Sequence, residues 1–229
     1  MKRYFPPWGI IDIVIVLGTI FLITNFFSWL MGGFIATLVP VQRLLLSTML
    51  QTGSIVLVIV YFIIFRKAKL SDIGIKKGKS ILKVGILGGG FLFGTVLGVG
   101  IIMELLLPIT PKLQPFAQIV LETENFREFL LLLFIGSVLA PLGEELYFRG
   151  LVYPVFKNRW GLKKGMLFTG VFFALLHFDV IRFVPLAIGG AGLAYLYEKT
   201  GSILTPMLAH GIWNGIMMFL LYFIPWITH

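Results

Sequence analysis

The chain has 229 residues, of which 58% are hydrophobic and 13% charged, and it contains no cysteine. Its apolar residues form long continuous runs, which predict an all-α fold, a polytopic membrane helix bundle, and exclude a transmembrane β-barrel with its alternating strands. The absence of cysteine excludes disulfides, thiol catalysis and thiolate metal ligands. The formal net charge of +9 could suggest a nucleic-acid partner. The basic residues lie in loops between the apolar runs, so we expect a lipid bilayer and no nucleic acid.

Seven apolar segments are candidates for membrane spans, since a helix needs about 20 predominantly apolar residues to cross the hydrocarbon core. They lie at about 10–31, 43–65, 82–107, 128–157, 164–178, 183–198 and 203–225. Residues 108–127 are rich in proline and predict an extracytoplasmic loop with a short amphipathic helix. If this segment dips into the membrane, the number of spans is eight.

The distribution of Lys and Arg predicts the orientation of the chain. With the N-terminus in the cytoplasm and seven spans, the C-terminus lies outside. All Lys and Arg then lie at the cytoplasmic side except Arg43, Lys112, Arg127 and Arg182, as the positive-inside rule requires. No internal repeat or long linker interrupts the chain, so we interpret residues 1–229 as one membrane domain with a motif-bearing core at about 128–225. We expect this protein in a bacterial or archaeal cell membrane.

The third predicted span is rich in glycine. Gly90, Gly94 and Gly98 recur at four-residue spacing and therefore share one face of a helix. Small residues at this spacing let helix backbones approach closely in membranes, so we expect this face to pack against a neighbouring helix.

The fourth predicted span carries two carboxylates and an arginine in the stretch APLGEELYFRG, residues 140–150. A charge at bilayer depth costs at least about 2.5–3.5 kcal/mol, so such groups are usually paired or face a wet cavity. Glu145 and Arg149 are four residues apart and share a helix face, which predicts an ion pair. Glu144 is turned about 100° away and stays available for chemistry. The structural alternative is a helix-end ion pair with a snorkelling residue.

Three further polar residues stand in apolar segments: His177, His210 and Asn214. His177 follows Phe173 by one helical turn. His210 and Asn214 are also one turn apart, so both side chains project from the same face of their helix.

The depth of Glu144 depends on how far its helix extends. If the helix continues to Lys157, with a distortion before Pro154, Glu144 lies about 20 Å from the cytoplasmic face, at the depth calculated for His177. We prefer this arrangement because it brings the polar residues into one cavity and buries Arg149.

These residues suit a hydrolase without a nucleophilic side chain. Glu144 can take a proton from water with help from His177, while His210 and Asn214 donate hydrogen bonds to the oxyanion, each worth about 3 kcal/mol. The alternative is zinc, held by Glu144, His177 and His210 and carrying an acidic water. The H-E-x-x-H signature of many zinc proteases is absent. We favour no metal, because ligation would remove Glu144 as the general base.

The sequences EELYFR, FALLH and HGIWN together resemble the three motifs of the CPBP family, the CAAX-processing and bacteriocin-processing intramembrane proteases also called Abi. The motif Glu-Glu-x-x-x-Arg matches Glu144, Glu145 and Arg149. The motif Phe-x-x-x-His matches Phe173 and His177, and the motif His-x-x-x-Asn matches His210 and Asn214. The resemblance implies an intramembrane endopeptidase, similar to the CAAX prenyl endopeptidases, whose site is reached from the cytoplasmic side. Such proteins are often described as metalloproteases, although a metal-free glutamate mechanism has also been argued.

The substrate implied by the resemblance is a membrane-embedded or lipidated peptide or protein. Nothing in the sequence marks a prenyl-binding groove. The competing class is a non-enzymatic membrane protein, a transporter or an immunity-type scaffold whose polar residues bind one another. A transporter usually shows repeated halves, and no repeat is visible here.

Overall fold

The computed structural model describes residues 6–107 and 113–224. The described residues form helices and turns and no strand, which confirms the predicted all-α class. The helices are α1 (Ile10–Leu30), α2 (Gly32–Thr37), α3 (Pro40–Phe65), α4 (Ile81–Leu106), α5 (Pro115–Glu122), α6 (Phe126–Trp160), α7 (Leu162–Leu175), α8 (Phe183–Thr200) and α9 (Leu204–Phe223). The chain ends and residues 108–112, with Lys112, lie outside the described residues, so the predicted orientation of the termini stays a prediction.

Five of these helices, α1, α3, α4, α6 and α9, are long and apolar enough to cross a membrane. The protein is therefore an integral membrane helix bundle. The other two predicted spans, 164–178 and 183–198, are present as α7 and α8, with 14 and 18 residues. At 1.5 Å per residue α7 is only about 21 Å long, which is less than the hydrocarbon thickness of about 30 Å. The short amphipathic helix predicted within 108–127 is α5.

Helix α6 is the longest helix in the described part of the chain, with 35 residues, and it carries the two glutamates. Two stretches of it are π-helical, Ile135–Leu139 and Leu146–Val152. In a π-helix the backbone hydrogen bonds join residues five apart, where an α-helix joins residues four apart. The second stretch ends two residues before Pro154, which has no N–H to donate. The predicted continuation of the glutamate helix to Lys157, with a distortion before the proline, is confirmed.

Polar contacts between connecting segments group them at two ends of the bundle. At one end Ser202 Oγ donates to the carbonyl oxygen of Lys76 at 2.7 Å. At the other end Gln114 Nε2 donates to Asp179 Oδ2 at 3.4 Å. The first contact joins two connections predicted to be cytoplasmic, and the second joins two predicted to be outside. The contacts agree with the predicted alternation of the apolar segments.

The glycines of α4 divide into two sets. A Cβ added at Gly89 would lie 2.7 Å from the carbonyl oxygen of Ala209, so this glycine allows α4 and α9 to approach closely. A Cβ added at Gly90, Gly94 or Gly98 would meet no described atom within 4 Å. The prediction that this second set packs against a neighbouring helix of the chain is wrong, because the spacing defines a helix face and not what that face contacts.

Alanine substitutions on α4 should separate the two sets. Gly89→Ala forces its methyl group into the backbone of α9, and we expect a loss of about 1–3 kcal/mol of stability. Gly94→Ala meets open space and improves helix propensity, so it should stabilise the protein by up to about 1 kcal/mol. Thermal unfolding in detergent measures both. A destabilising Gly94→Ala would contradict the open face.

Candidate active site

The centre of the site is the ion pair between Glu145 and Arg149, one turn apart on α6. Arg149 Nη1 donates to Glu145 Oε1 at 2.8 Å, and both side chains are completely buried. Arg149 Nη2 donates to the carbonyl oxygen of Gly190 on α8 at 2.7 Å. Its guanidinium also lies over the ring of Phe173, 5.4 Å from the ring centre. The predicted pairing is present, and Arg149 links α6 to α7 and α8.

His210 on α9 binds the same carboxylate oxygen. Its Nδ1 lies 2.8 Å from Glu145 Oε1, and its side chain is 4% exposed. A carboxylate only accepts hydrogen bonds, so Nδ1 carries the proton and the Nε2 of a neutral ring has a free lone pair. This contact joins residues 65 positions apart and could not be predicted from motif spacing.

Glu144 faces the other nitrogen of this imidazole. Its Oε2 lies 3.8 Å from His210 Nε2, too far for a direct hydrogen bond. This oxygen is buried and has no hydrogen-bond partner among the described residues, while the side chain as a whole is 28% exposed. Glu144 is thus the carboxylate not engaged by Arg149, as the helix geometry predicted.

His177 lies in the turn after α7, two residues beyond the last helical residue, Leu175. The helix thus ends three residues before the end of the predicted segment 164–178, and His177 lies just beyond it. The turn forms because the backbone N–H of His177 donates to Ala174 at 3.1 Å, a tightened helix end. Its Nδ1 lies 2.7 Å from the carbonyl oxygen of Phe173. A carbonyl oxygen only accepts, so Nδ1 of His177 also carries the proton.

Phe173 contacts both imidazoles. Its ring centre lies 4.4 Å from that of His177 and 5.8 Å from that of His210, and the residue is 1% exposed. The aromatic ring therefore supports both histidines and the guanidinium of Arg149 at once. The structure brings His210 next to Glu144 and connects His177 to them through Phe173.

Asn214 projects from α9 one turn after His210, as predicted. Its Nδ2 donates to the carbonyl oxygen of Gly136 at 2.9 Å, in the first π-helical stretch of α6. An amide nitrogen has two N–H groups, so one remains for another acceptor. Asn214 ties α9 to α6, a contact that the motif spacing alone does not indicate.

The geometry does not fit the zinc site considered from the sequence. The described residues contain no group of three or more His, Asp or Glu side chains that could hold a metal ion. The set of Glu144, His177 and His210 considered as zinc ligands is not such a group.

Both histidines should have the same tautomer. Selective labelling with ¹⁵N-histidine should show Nδ1 as the protonated nitrogen of neutral His177 and His210, since each Nδ1 faces an oxygen acceptor. The ¹⁵N chemical shifts distinguish the two ring nitrogens directly. An Nε2–H form of His210 would contradict its contact with Glu145.

The motif-bearing part of the chain is similar to known proteins. A family model described as Rce1-like, type II CAAX prenyl endopeptidase Rce1-like, matches residues 126–216. This region runs from the start of α6 into α9 and contains every residue of the site described above. The resemblance to the CPBP family is confirmed for it.

Three relatives match about the same share of the chain. "Putative membrane peptidase YdiL" of Bacillus subtilis is 25% identical over 104 residues, 42% of this chain and 43% of the relative. "Uncharacterized 24.3 kDa protein" of Escherichia coli is 29% identical over 102 residues, 42% of this chain and 47% of the relative. "CAAX prenyl protease 2" of Homo sapiens is 29% identical over 99 residues, 34% of this chain and 30% of the relative. The chain thus spans less than half the length of each relative. No solved structure matches significantly.

Proposed function

We propose that this chain, whose residues 126–216 form a Rce1-like segment, is an intramembrane endopeptidase that hydrolyses a peptide bond of a membrane-associated substrate. One observation carries the proposal. Glu144 Oε2 is buried without a hydrogen-bond partner among the described residues, 3.8 Å from the Nε2 of a histidine whose other nitrogen is held by Glu145. A free carboxylate beside a fixed imidazole is what a general base for water requires.

In the proposed reaction one water molecule hydrogen-bonds to Glu144 Oε2 and His210 Nε2. Glu144 takes a proton from this water as the oxygen adds to the carbonyl carbon of the scissile peptide bond. The remaining N–H of Asn214 donates to the oxyanion that forms. Glu144 then transfers the proton to the leaving nitrogen, and the C–N bond breaks to give a carboxylic acid and an amine. The acid passes its proton to the amine, and the products leave as a carboxylate and an ammonium ion.

On the basis of these contacts we propose a change in two of the roles assigned from the sequence. His210, not His177, lies beside Glu144, so we assign the orientation of water to His210. A neutral His210 has its only N–H directed at Glu145 and cannot also donate to an oxyanion. His177 contacts the ring of Phe173. We assign it to substrate binding, with its Nε2 accepting a hydrogen bond from an N–H group of the peptide.

We also propose that the substrate is lipidated or embedded in the membrane. One relative is named a CAAX prenyl protease, and the lipid-facing helices of this chain expose many large apolar side chains. The test uses three peptides in lipid vesicles: one ending in a farnesylated CAAX sequence, the same peptide without the farnesyl group, and a single-span transmembrane peptide. We expect wild-type protein to cleave at least one of them, as detected by mass spectrometry, and Glu144→Gln to cleave none. Failure of wild-type protein to cleave any peptide would favour the non-enzymatic alternative.

We propose further that the reaction needs no metal. Purified active protein should contain well under one equivalent of transition metal, and dialysis against a strong chelator should leave cleavage unchanged. Elemental analysis and the peptide assay measure these outcomes. Stoichiometric zinc, with activity that is lost on chelation and restored by Zn²⁺, would overturn this mechanism.

A further inference from the structure

The second π-helical stretch of α6, Leu146–Val152, sets the geometry of the site. It follows both glutamates, contains Arg149, and all seven of its residues are buried. Arg149 holds Glu145, and Glu145 holds the imidazole of His210. A displacement of this stretch would therefore reach His210 through two hydrogen bonds.

A tryptophan outside the matched region holds this stretch in place. The indole Nε1–H of Trp8, which precedes α1, donates to the carbonyl oxygen of Leu151 at 2.9 Å, in a buried contact between residues 143 positions apart. The indole is stacked on Phe62 of α3, with ring centres 5.5 Å apart and planes at 10°. Trp8 is 5% exposed. A buried indole N–H needs an acceptor, and the stacking fixes where it points.

A second contact reaches the same stretch from the start of α1. The hydroxyl of Tyr147 points at the carbonyl oxygen of Ile13 at 3.4 Å, also in a buried position. Tyr147 and Leu151 are one turn apart and lie on either side of Arg149 in the sequence. The N-terminal end of the bundle thus contacts the helix just before and just after its buried arginine.

We propose that Trp8 is a positioning residue of this peptidase. By holding the carbonyl group of Leu151 it keeps Arg149, and through Glu145 the imidazole of His210, in place beside Glu144. Within the described residues, Trp8 makes no hydrogen bond or ring contact with these side chains. The inference rests on the proposed function, and it assigns a role in catalysis to a segment outside residues 126–216.

The test replaces Trp8 with phenylalanine, which keeps a ring for stacking and removes the N–H donor. The matched control is Trp29→Phe, because Trp29 belongs to α1 and is 77% exposed. The sequence has three histidines, so ¹⁵N-histidine labelling of the full chain gives few signals. We expect Trp8→Phe to shift the ring resonances of His210 and leave those of His177 unchanged. On whichever of the three peptides is cleaved, kcat should fall about tenfold or more with KM within about threefold, since small misplacements of catalytic groups are costly. Trp29→Phe should change none of these.

Unchanged His210 resonances and kcat in Trp8→Phe would overturn the proposal. So would shifted resonances with an unchanged kcat, or a rise in KM alone. If Trp8→Phe does not fold, Tyr147→Phe, which removes the second contact and keeps the ring, takes its place with smaller expected effects. If wild-type protein cleaves none of the peptides, the proposed function fails, and the His210 resonances alone decide whether Trp8 positions this histidine.

Discussion

Glu145→Gln is expected to lower the free energy of unfolding by about 3–5 kcal/mol, because it leaves the guanidinium of Arg149 buried without a counter-charge. Arg149 is completely buried, and its Nε already has no hydrogen-bond partner among the described residues. The same change weakens the acceptor of His210 Nδ1, so activity should fall together with stability. Thermal unfolding in detergent, with the peptide assay on the same sample, measures both effects.

The matched control for this variant is Glu198→Gln. Glu198 pairs with Lys157 at 2.5 Å, but these side chains are 23% and 43% exposed. An ion pair in contact with water contributes only about 0–1 kcal/mol, so Glu198→Gln should unfold close to wild type. Equal losses of stability in the two variants would contradict the special role of the buried pair.

The parts of the site that follow from helix geometry could be predicted. Residues four apart on a helix are neighbours on its surface regardless of what packs around the helix, so the pairing of Glu145 with Arg149 followed from spacing alone. Continuous apolar runs likewise predicted the class of fold. The extension of α6 through Pro154 followed from the depth that Glu144 needs, and the π-helical stretch is how the helix accommodates the proline.

Contacts between helices distant in sequence could not be predicted. The bonds from His210 to Glu145, from Asn214 to Gly136 and from Trp8 to Leu151 depend on how the helices cross, and spacing within one helix carries no information about crossing. Motif order indicated which residues matter and not which of them touch.

Two further features could not be predicted from the sequence: where α7 ends and what the glycine face of α4 contacts. No glycine or proline stands between Leu175 and His177, so nothing in the sequence indicated that α7 ends before His177. Gly90, Gly94 and Gly98 have the spacing of a packing face, yet they lie on a side of α4 that no described residue covers. In a membrane protein, a helix face that packs against another helix and a face that contacts lipid are both apolar, so hydropathy does not distinguish them.

Glu144→Gln is expected to reduce kcat by about 10²–10⁴-fold while the protein unfolds at nearly the wild-type temperature. Glutamine keeps the size of the side chain and can still bind water, but it cannot accept the proton. Stability should persist because Oε2 of Glu144 makes no hydrogen bond to the described residues and no ion pair with Arg149. The two variants therefore separate the roles of the glutamates. Glu144→Gln should affect the chemistry alone, and Glu145→Gln should affect both the stability of the fold and the chemistry. Single-turnover cleavage in H₂¹⁸O should place ¹⁸O in the new carboxylate of the first product, as direct attack by water requires. Retained cleavage by Glu144→Gln, or a first product free of ¹⁸O, would remove Glu144 from the role of general base.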